Sequence, residues 1–292
     1  MISIIVNCHN GEKYLKKCIS SILSQSYKKF EIIFFDNSST DKSREIIHKY
    51  KDYRIKYFFS KKKIPLYKAR NEAIKKTNYN LIAFLDVDDW WDKNYLLEKK
   101  KYFTNHKIDY FYSNVYFFYE KKNKFLIYNK FKLPQGKIFK FLAKNYFIII
   151  SGLIIRKKIL KKENYFNKNY NIIGDYDLLM KISRYANAKS FNDALVYYRV
   201  HDKNFAKINN KIFYNEYKDW FLKQSSSKNA DFERNKKYFL LKLKKLEIIY
   251  LLYKKKNFKL LLKIIKLPNI LLKLKFLIAI LLPLKFVKYL RK

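Results

Sequence analysis

The stretch LIAFLDVDDWWD, residues 81–92, places four aspartates directly behind an apolar run in a chain of 292 residues. Residues 81–85 have the length and composition of a β-strand that is buried on both faces. The acids begin where that strand is expected to end. Because parallel α/β sheets bind ligands beyond the carboxyl ends of their strands, this junction predicts both a fold class and the place of a site.

Three further apolar runs, residues 2–6, 30–35 and 55–59, precede this stretch and also predict buried strands. Apolar residues at helical spacing lie between them, as from Leu15 to Leu23. This alternation predicts an α/β fold with a Rossmann-like, mostly parallel sheet and helices on both faces. The polar residues that follow the strands are then expected to converge on one crevice.

The pattern is less regular in the second half of the chain. Residues 102–128 are rich in aromatic residues and alternate, which predicts a mixed sheet or a hairpin. Residues 148–155 and 194–200 predict two further strands, the second of which ends at His201. Beyond about residue 210 only helical patterns remain, so the chain is expected to end in a helical extension.

Asp86 and Asp88 are one residue apart in an extended segment, so both carboxylates face the same way. Two such carboxylates can share a hard divalent cation. The alternative is that all four acids cap a helix or lie in solvent. We expect Asp89 to point elsewhere and Asp92 to cap the helix that follows it.

Four separated segments resemble the family 2 glycosyltransferases of the GT-A fold, which build bacterial surface polysaccharides. They are SIIVNCHNGEKYLKKCISSILSQSYKKFEIIFFDNSSTDKS, ARNEAI, LIAFLDVDDWW and IGDYDLLMKI, in that order. The resemblance implies a GT-A catalytic domain at residues 1–205, with a donor half at 1–101 and an acceptor half at 102–205. Residues 206–292 are then a basic, amphipathic helical extension.

The resemblance also implies the roles of individual residues. Asp86 and Asp88 would hold Mg²⁺ or Mn²⁺ on the diphosphate of a nucleotide sugar, and His201 of YYRVHDKN would add a metal contact. Asp36 would receive the base, which favours a UDP- or dTDP-sugar because a carboxylate accepts a hydrogen bond from the ring N–H. Donor contacts are expected at Asn7, His9, Asn10, Asp36, Ser38, Arg70 and Asp86.

Each of these roles has a plainer alternative. Asp36 can instead start a turn with Ser38 or Ser39. Arg70 can be an exposed helix residue, and His201 can be structural. The resemblance leaves these alternatives open.

The proposed catalytic residue comes from the same resemblance. The acidic pair that precedes a helix in the family matches Gly174 and Asp175, so the first acid is missing and the second is present. Asp175 would be the base of an inverting transfer, taking the proton of the acceptor hydroxyl. The alternative is that Asp175 only caps the helix; Asp177 lies about 200° around it and cannot share the role.

Composition and the apolar runs limit the possible binding partners of the protein and its possible location in the cell. The formal charge of +41 attracts phosphates, nucleic acid and anionic lipid. Two cysteines are too few for a disulfide framework, and the amino-terminal residues lack a signal peptide, so a bacterial cytoplasm is expected. Residues 276–284 form the longest apolar run, which is too short to span a bilayer. The Lys/Leu/Ile pattern of residues 238–292 predicts peripheral binding to the inner face of the plasma membrane, or a helical pair packed on the domain.

The expected function is therefore sugar transfer to a glycan or lipid-linked acceptor in O-antigen, lipooligosaccharide or capsule synthesis. A nucleotidyltransferase of similar fold is an alternative, because it uses the same sheet and acidic loop. A basic nucleic-acid-binding protein is another, but the basic residues are spread over the chain and no stacking or finger motif is present, so no specific nucleic acid is expected. The last alternative is a binding-only relative of the family, which binds the nucleotide-sugar donor but has lost catalysis.

Overall fold

The structure is a computed structural model that describes residues 1–227, 229–253 and 257–281. The chain divides into two compact units at His201. The boundary expected from the sequence was residue 205. Each unit is described by itself below.

Seven strands form the central sheet of the first unit, in the order β10-β6-β9-β4-β1-β2-β3. All neighbours pair in parallel except those of β9, which runs antiparallel to both β4 and β6. The predicted mostly parallel α/β sheet is therefore confirmed. Its strands are β1 (Ile2–Cys8), β2 (Phe30–Asp36), β3 (Ile55–Phe59), β4 (Leu81–Phe84), β6 (Tyr110–Ser113), β9 (Leu153–Arg156) and β10 (Ala188–Phe191).

A second sheet of four strands lies in the same unit, in the order β5-β11-β7-β8. Strand β5 (Trp90–Trp91) follows the acidic stretch directly and pairs antiparallel with β11 (Val196–Val200). Strand β11 pairs in parallel with β7 (Tyr116–Tyr119), which forms a hairpin with β8 (Lys124–Ile127). The aromatic, alternating region thus supplies one strand to the central sheet and a hairpin to the small one.

The helices of the first unit cover the sheet with apolar faces. Helix α1 buries Leu15, Cys18, Ile19 and Ile22, the residues whose spacing predicted it. Both cysteines are free and buried, and burial raises the pKa of the Cys8 thiol to about 11, so neither is a nucleophile. These helices are α1 (Glu12–Leu23), α2 (Ser43–His48), α3 (Leu66–Lys75), α4 (Phe139–Lys144), α5 (Lys157–Lys162) and α6 (Gly174–Ile182).

Two local expectations are wrong. Residues 148–155 do not form one strand, because a short 3-10 helix, Ile150–Gly152, precedes β9. Asp92 does not cap the next helix, which is a 3-10 helix at Leu97–Tyr102. Its carboxylate instead accepts the N–H of Asn94 at 2.9 Å, in a turn that ends β5.

The described part of the second unit contains only helices, as its sequence predicts. Its buried core includes Ile248, Leu252, Leu260 and Ile264. Across the described ranges, no helix is long and apolar enough to cross a membrane; the last three residues of the run at 276–284 lie outside those ranges. The helices are α7 (Phe205–Ile208), α8 (Asn210–Ser226), α9 (Ala230–Tyr253), α10 (Asn257–Ile265) and α11 (Ile270–Leu281).

Candidate active site

The order of strands opens a crevice at one edge of the central sheet. Strand β1 lies between β2 and β4, so the connections on its two sides run in opposite directions. Such a switch in strand order separates the loops at the carboxyl ends and leaves room for a ligand. The residues after β1, β2 and β4 all lie at this edge, as the sequence predicts.

Hydrogen bonds hold the loops after β1 and β2 together. The side-chain oxygen of Asn10 accepts the N–H of Thr40 at 2.8 Å, and the N–H of Asn10 donates to Ser39 Oγ at 3.0 Å. His9 Nδ1 lies 3.0 Å from the carbonyl oxygen of Asn37. Asn10 and Ser38 have positive φ angles of 54° and 61°. This backbone shape costs free energy, and the cross-loop bonds offset it.

Asn7 lies at the end of β1, just before this loop, and differs from the loop residues in its contacts. Both polar atoms of its side chain are buried and have no hydrogen-bond partner among the residues that the structure describes. A buried amide without a partner costs about 1–3 kcal/mol. Its place at the carboxyl end of β1 makes Asn7 a residue that a ligand in the crevice would satisfy.

Asp36 is fully buried at the end of β2. Its Oδ1 accepts the N–H of Ser39 at 2.8 Å, and its Oδ2 accepts the hydroxyl of Tyr57 at 3.0 Å. Burial and the Asp36 carboxylate raise the pKa of Tyr57 to about 12, which keeps that hydroxyl a donor. The structure therefore contains the turn that the sequence left open, and a base reaches Asp36 only if Tyr57 moves.

Arg70 is buried, which excludes the exposed helix arginine that the sequence allowed. Its guanidinium donates to Asp86 Oδ1 at 2.5 Å. Burial lowers the pKa of Arg70, but nearby acidic groups, chiefly the carboxylate of Asp86 and also that of Asp175, more than offset this and raise it. Arg70 therefore orients Asp86, and Asp175 lies close enough to act on the same guanidinium.

Asp88 and Asp89 point to different surroundings. Asp88 Oδ2 lies 2.9 Å from His201 Nε2, and its backbone oxygen accepts Arg199 Nε at 2.9 Å. Asp89 is buried and accepts Ser151 Oγ at 2.5 Å and the N–H of Arg199 at 2.9 Å. Burial and the two nearby aspartates raise its pKa well above the usual value. The expectation that Asp89 turns away from Asp88 is confirmed by these contacts.

The predicted metal ligands are not assembled into one set. Among the described residues, no group of three or more His, Cys, Asp or Glu side chains is arranged to hold a metal ion. Asp88 contacts His201, whereas Asp86 is turned to Arg70. Burial raises the pKa of Asp86, the charge of Arg70 lowers it and the charge of Asp88 raises it further. The Asp86 side chain is 31% exposed, so solvent partly screens these effects. The two carboxylates are thus close enough to repel, which a bound cation would relieve.

Asp175 lies in the first turn of α6 and is surrounded by donors. Its Oδ1 accepts the Tyr67 hydroxyl at 2.9 Å and the N–H of Tyr176 at 2.8 Å. The Tyr146 hydroxyl lies 3.4 Å from Oδ2. The N-cap position is Ile173, so Asp175 is not the cap of this helix. Asp177 bonds Lys181 at 2.7 Å and takes no part, as its position on the helix predicts.

The missing acid before Asp175 has a steric explanation. A Cβ atom on Gly174 would lie 2.5 Å from ring atoms of Tyr67, closer than real Cβ contacts allow. The Tyr67 ring therefore occupies the space that a larger residue would need. Its hydroxyl also reaches the carbonyl oxygen of Ile172 at 3.1 Å, so one tyrosine contacts both sides of Gly174.

Sequence reasoning missed four residues that hold the site, and some had a signal. Tyr67 precedes Arg70 by three residues, one helical turn, a spacing that places both on one face of α3. Arg199 lies in β11, two residues before His201, which follows the end of that strand, and residues two apart in an extended segment face the same way. Ser151 and Tyr146 had no signal, because they reach the site from a distant part of the chain.

The two tryptophans at the end of the acidic stretch are buried. Trp91 Nε1 donates to the carbonyl oxygen of Ser151 at 2.7 Å. Trp90 stacks on Tyr197 with centroids 5.0 Å apart, and the Arg199 guanidinium lies 4.6 Å from its ring centroid. Both rings are therefore held by residues outside the acidic stretch, and these contacts anchor its end.

An acid-lined crevice at the switch point of a parallel sheet defines an α/β enzyme of the nucleotide-binding kind. A family model described as glycosyl transferase family 2 matches residues 3–163. The chain belongs to that family and is a glycosyltransferase, which confirms the resemblance.

The relatives differ in how much of each protein is shared. WfaP of Escherichia coli, described as a UDP-Glc:alpha-D-GlcNAc-diphosphoundecaprenol beta-1,3-glucosyltransferase, is 32% identical over 204 residues, covering 69% of this chain and 78% of that protein. Glycosyltransferase GlyA of Streptococcus pneumoniae is 35% identical over 126 residues, covering 42% of this chain and only 18% of that protein.

Two solved structures have the same fold. TarS of S. aureus in complex with UDP-GlcNAc has a TM-score of 0.57 at 18% identity and covers 96% of this chain and 71% of its own. The mannosyltransferase PcManGT from Pyrobaculum calidifontis, in complex with GDP-Man and Mn²⁺, has a TM-score of 0.64 at 14% identity and covers 99% and 83%. The predicted GT-A fold is confirmed by this likeness.

Proposed function

We propose that the chain transfers a sugar from a nucleoside-diphosphate sugar to a hydroxyl acceptor, with inversion at the anomeric carbon. The observation that carries this proposal is the placement of Asp175 in the first turn of α6, beside the Arg70–Asp86 pair. A single carboxylate base suffices for an inverting transfer. The alternative nucleotidyltransferase reaction needs no such base for a sugar hydroxyl and releases pyrophosphate instead of a nucleoside diphosphate.

The donor is proposed to lie across the ends of β1, β2 and β4. The unpartnered amide of Asn7 supports a ligand there, and His9, Asn10 and Ser38 belong to the joined loops. WfaP and TarS are named with UDP-sugars, which supports a uracil nucleotide for this chain. Asp36 would accept the base N–H only after Tyr57 withdraws, so its first role is to order the loop.

The crevice residues fit a divalent cation, Mg²⁺ or Mn²⁺. Two carboxylates and one imidazole are suitable ligands when phosphate oxygens supply the rest. Asp86 and Asp88 would hold the cation, with His201 as a further ligand once it exchanges its bond to Asp88. The bound cation would neutralise charge on the leaving diphosphate. PcManGT is described with Mn²⁺, which supports this proposal.

The protein's own groups prepare the base for its task. Tyr67 and the N–H of Tyr176 fix Oδ1 of Asp175, whereas Oδ2 has only the longer contact of 3.4 Å from the Tyr146 hydroxyl among the bonds described above. An acceptor hydroxyl would take the place of Tyr146 at Oδ2. Asp175 lies in the first turn of α6, beside the positive end of the helix dipole. Asp175 takes the proton as the acceptor oxygen bonds to the anomeric carbon and the bond to the diphosphate oxygen breaks.

We propose that the acceptor is a glycan or a lipid-linked sugar in bacterial surface polysaccharide synthesis, and that the enzyme lies on the inner face of the plasma membrane. WfaP acts on a diphosphoundecaprenol-linked sugar by its description, which supports a lipid-linked acceptor. The exposed apolar residues of α10 and α11 support membrane contact by the helical extension. They are Leu261, Leu262, Ile265, Ile270, Leu271, Leu274 and Ile278.

The test compares two substitutions in the full chain. Asp175→Asn keeps the shape of the side chain but removes the base, so we expect turnover to fall at least about 1,000-fold while donor affinity stays the same. Asp88→Ala should instead weaken donor binding and abolish its dependence on Mn²⁺. Asp92→Asn is the control, because its turn lies outside the crevice.

Turnover is measured as release of nucleoside diphosphate, and the anomeric configuration of the product is read by NMR. Wild-type turnover by Asp175→Asn would remove Asp175 as the base. A retained configuration would contradict inversion, and release of pyrophosphate would favour the nucleotidyltransferase.

A further inference from the structure

Acidic residues are absent from two long stretches of the chain. No Asp or Glu occurs at residues 121–162 or 248–292. These stretches make up less than a third of the chain, yet they hold 13 of the 21 large apolar side chains that are exposed among the described residues. In each unit, therefore, the stretch without acidic residues is also the one that holds most of the exposed large apolar side chains.

The first unit concentrates this surface in residues 121–144, which we call the basic–apolar patch. All eight of its lysines are exposed. Its exposed apolar side chains are those of Phe125, Leu126, Ile127, Phe131 and Phe141, with 38–55% of their surface accessible. Five of the nine exposed large apolar side chains in this unit thus lie within 17 consecutive residues.

The patch is built on an edge of the small sheet. Within the part of the chain that the structure describes, strand β8 pairs only with β7, and all four of its residues are exposed. An exposed apolar edge is a liability unless something covers it or charge protects it. Lys122, Lys124 and Lys130 flank this edge and disfavour pairing with a second copy, because the partner edge would carry the same charge.

We propose that the basic–apolar patch docks the catalytic unit onto an anionic lipid bilayer. Lysines bind the negative headgroups while Leu126, Ile127 and Phe141 enter the interfacial region. The phenylalanines of the patch could also stack on bases, but the aliphatic side chains of Leu126 and Ile127 cannot, so lipid fits the patch better and oligonucleotide binding is an outcome of the test below. The proposal goes beyond the helical extension and gives the unit that holds Asp175 a membrane contact of its own.

The patch does not overlap the residues that perform the chemistry. It can therefore be altered without touching the crevice. The patch variant carries Leu126→Asn, Phe141→Asn, Lys122→Gln, Lys124→Gln and Lys130→Gln. The matched control carries five changes of the same kinds at exposed residues near the amino-terminal ends of the central strands, away from the crevice: Tyr53→Asn, Leu97→Asn, Lys28→Gln, Lys29→Gln and Lys51→Gln.

The experiment measures sedimentation of the full chain with vesicles of equal parts phosphatidylglycerol and phosphatidylcholine. Both variants are also made together with Leu271→Asn and Leu274→Asn, which weaken contact by α11. We expect the patch variant to lose about 10- to 100-fold in partition coefficient in either background, and the control less than about threefold. Thermal melting and donor hydrolysis without lipid should remain at the wild-type level.

Three results would overturn the proposal. The first is equal loss by the patch variant and its control. The second is wild-type binding to pure phosphatidylcholine that matches binding to the anionic mixture. The third is a patch variant that changes only self-association or oligonucleotide binding. An enzyme that binds vesicles through the patch but transfers no sugar would refute the proposed function and leave this inference standing.

Discussion

Removing the Tyr67 hydroxyl should slow sugar transfer without weakening donor binding. The hydroxyl donates to the carboxylate of Asp175 at 2.9 Å, and hydrogen bonds to charged groups contribute about 1.5–3 kcal/mol. If that free energy serves to hold the base in place, Tyr67→Phe should lower kcat about 10- to 100-fold. The ring stays, so its packing beside Gly174 is preserved. The KM for the donor should change less than about twofold.

The control for Tyr67→Phe is Tyr185→Phe. Its hydroxyl also donates to a carboxylate, that of Glu163 at 2.6 Å, but outside the crevice. Both variants lose the same chemical contact, so a general effect on the fold would appear in both. Wild-type kcat in Tyr67→Phe, or an equal loss in Tyr185→Phe, would refute the positioning role.

The close approach between Gly174 and the Tyr67 ring leads to a second prediction about this pair. Gly174→Ala places a methyl group 2.5 Å from the Tyr67 ring, so the ring must move or strain must build up. Overpacking of this kind costs about 1–3 kcal/mol of unfolding free energy. In a Tyr67→Leu background the same alanine should cost little, and a double-mutant cycle by urea unfolding measures the difference. Additive costs would show that the two residues do not compete for space.

Two further predictions concern buried polar groups. Burial lowers the pKa of Lys99 to about 7, so between about pH 7 and 10.5 the folded chain binds fewer protons than the unfolded chain. The free energy of unfolding should therefore rise with pH across that window, by up to about 1.4 kcal/mol per pH unit. Lys99→Met should abolish this rise in urea unfolding, and an unchanged slope would contradict the prediction. Ser151→Ala leaves the buried Asp89 carboxylate with one partner fewer, so it should cost about 1–3 kcal/mol and weaken donor affinity. Ser190→Ala, which removes a bond to the carbonyl oxygen of Leu133, should lower stability without changing donor affinity.

The central sheet was predictable because its strands are short, continuous apolar runs. Strands β1 and β2 are buried along nearly their whole length, and their ends agree with the sequence within two residues. The strand predicted at residues 148–155 fails for a tertiary reason. There, Gly152 approaches the backbone of Ser113 and Ser151 turns toward Asp89, contacts that no local pattern contains.

The sequence predicted which residues belong to the site better than it predicted their hydrogen-bond partners. Asp86, Asp88 and Asp175 were found because acids stand at strand ends and in a family motif. Their partners were not, because a hydrogen bond between residues such as Tyr67 and Asp175 joins positions 108 apart in the chain. The turn at Asp36 was one of two alternatives, and the bond from the Ser39 N–H to the Asp36 carboxylate shows that it forms.

The sequence by itself determined the α/β class, the crevice at the strand ends and the family, because periodicity and motif spacing are local properties of the chain. The tertiary structure decided which acids bond which partners, why Gly174 stands before Asp175, and which apolar side chains stay exposed among the lysines of residues 121–144. Those features depend on distances between residues far apart in sequence, and only the packed chain sets such distances.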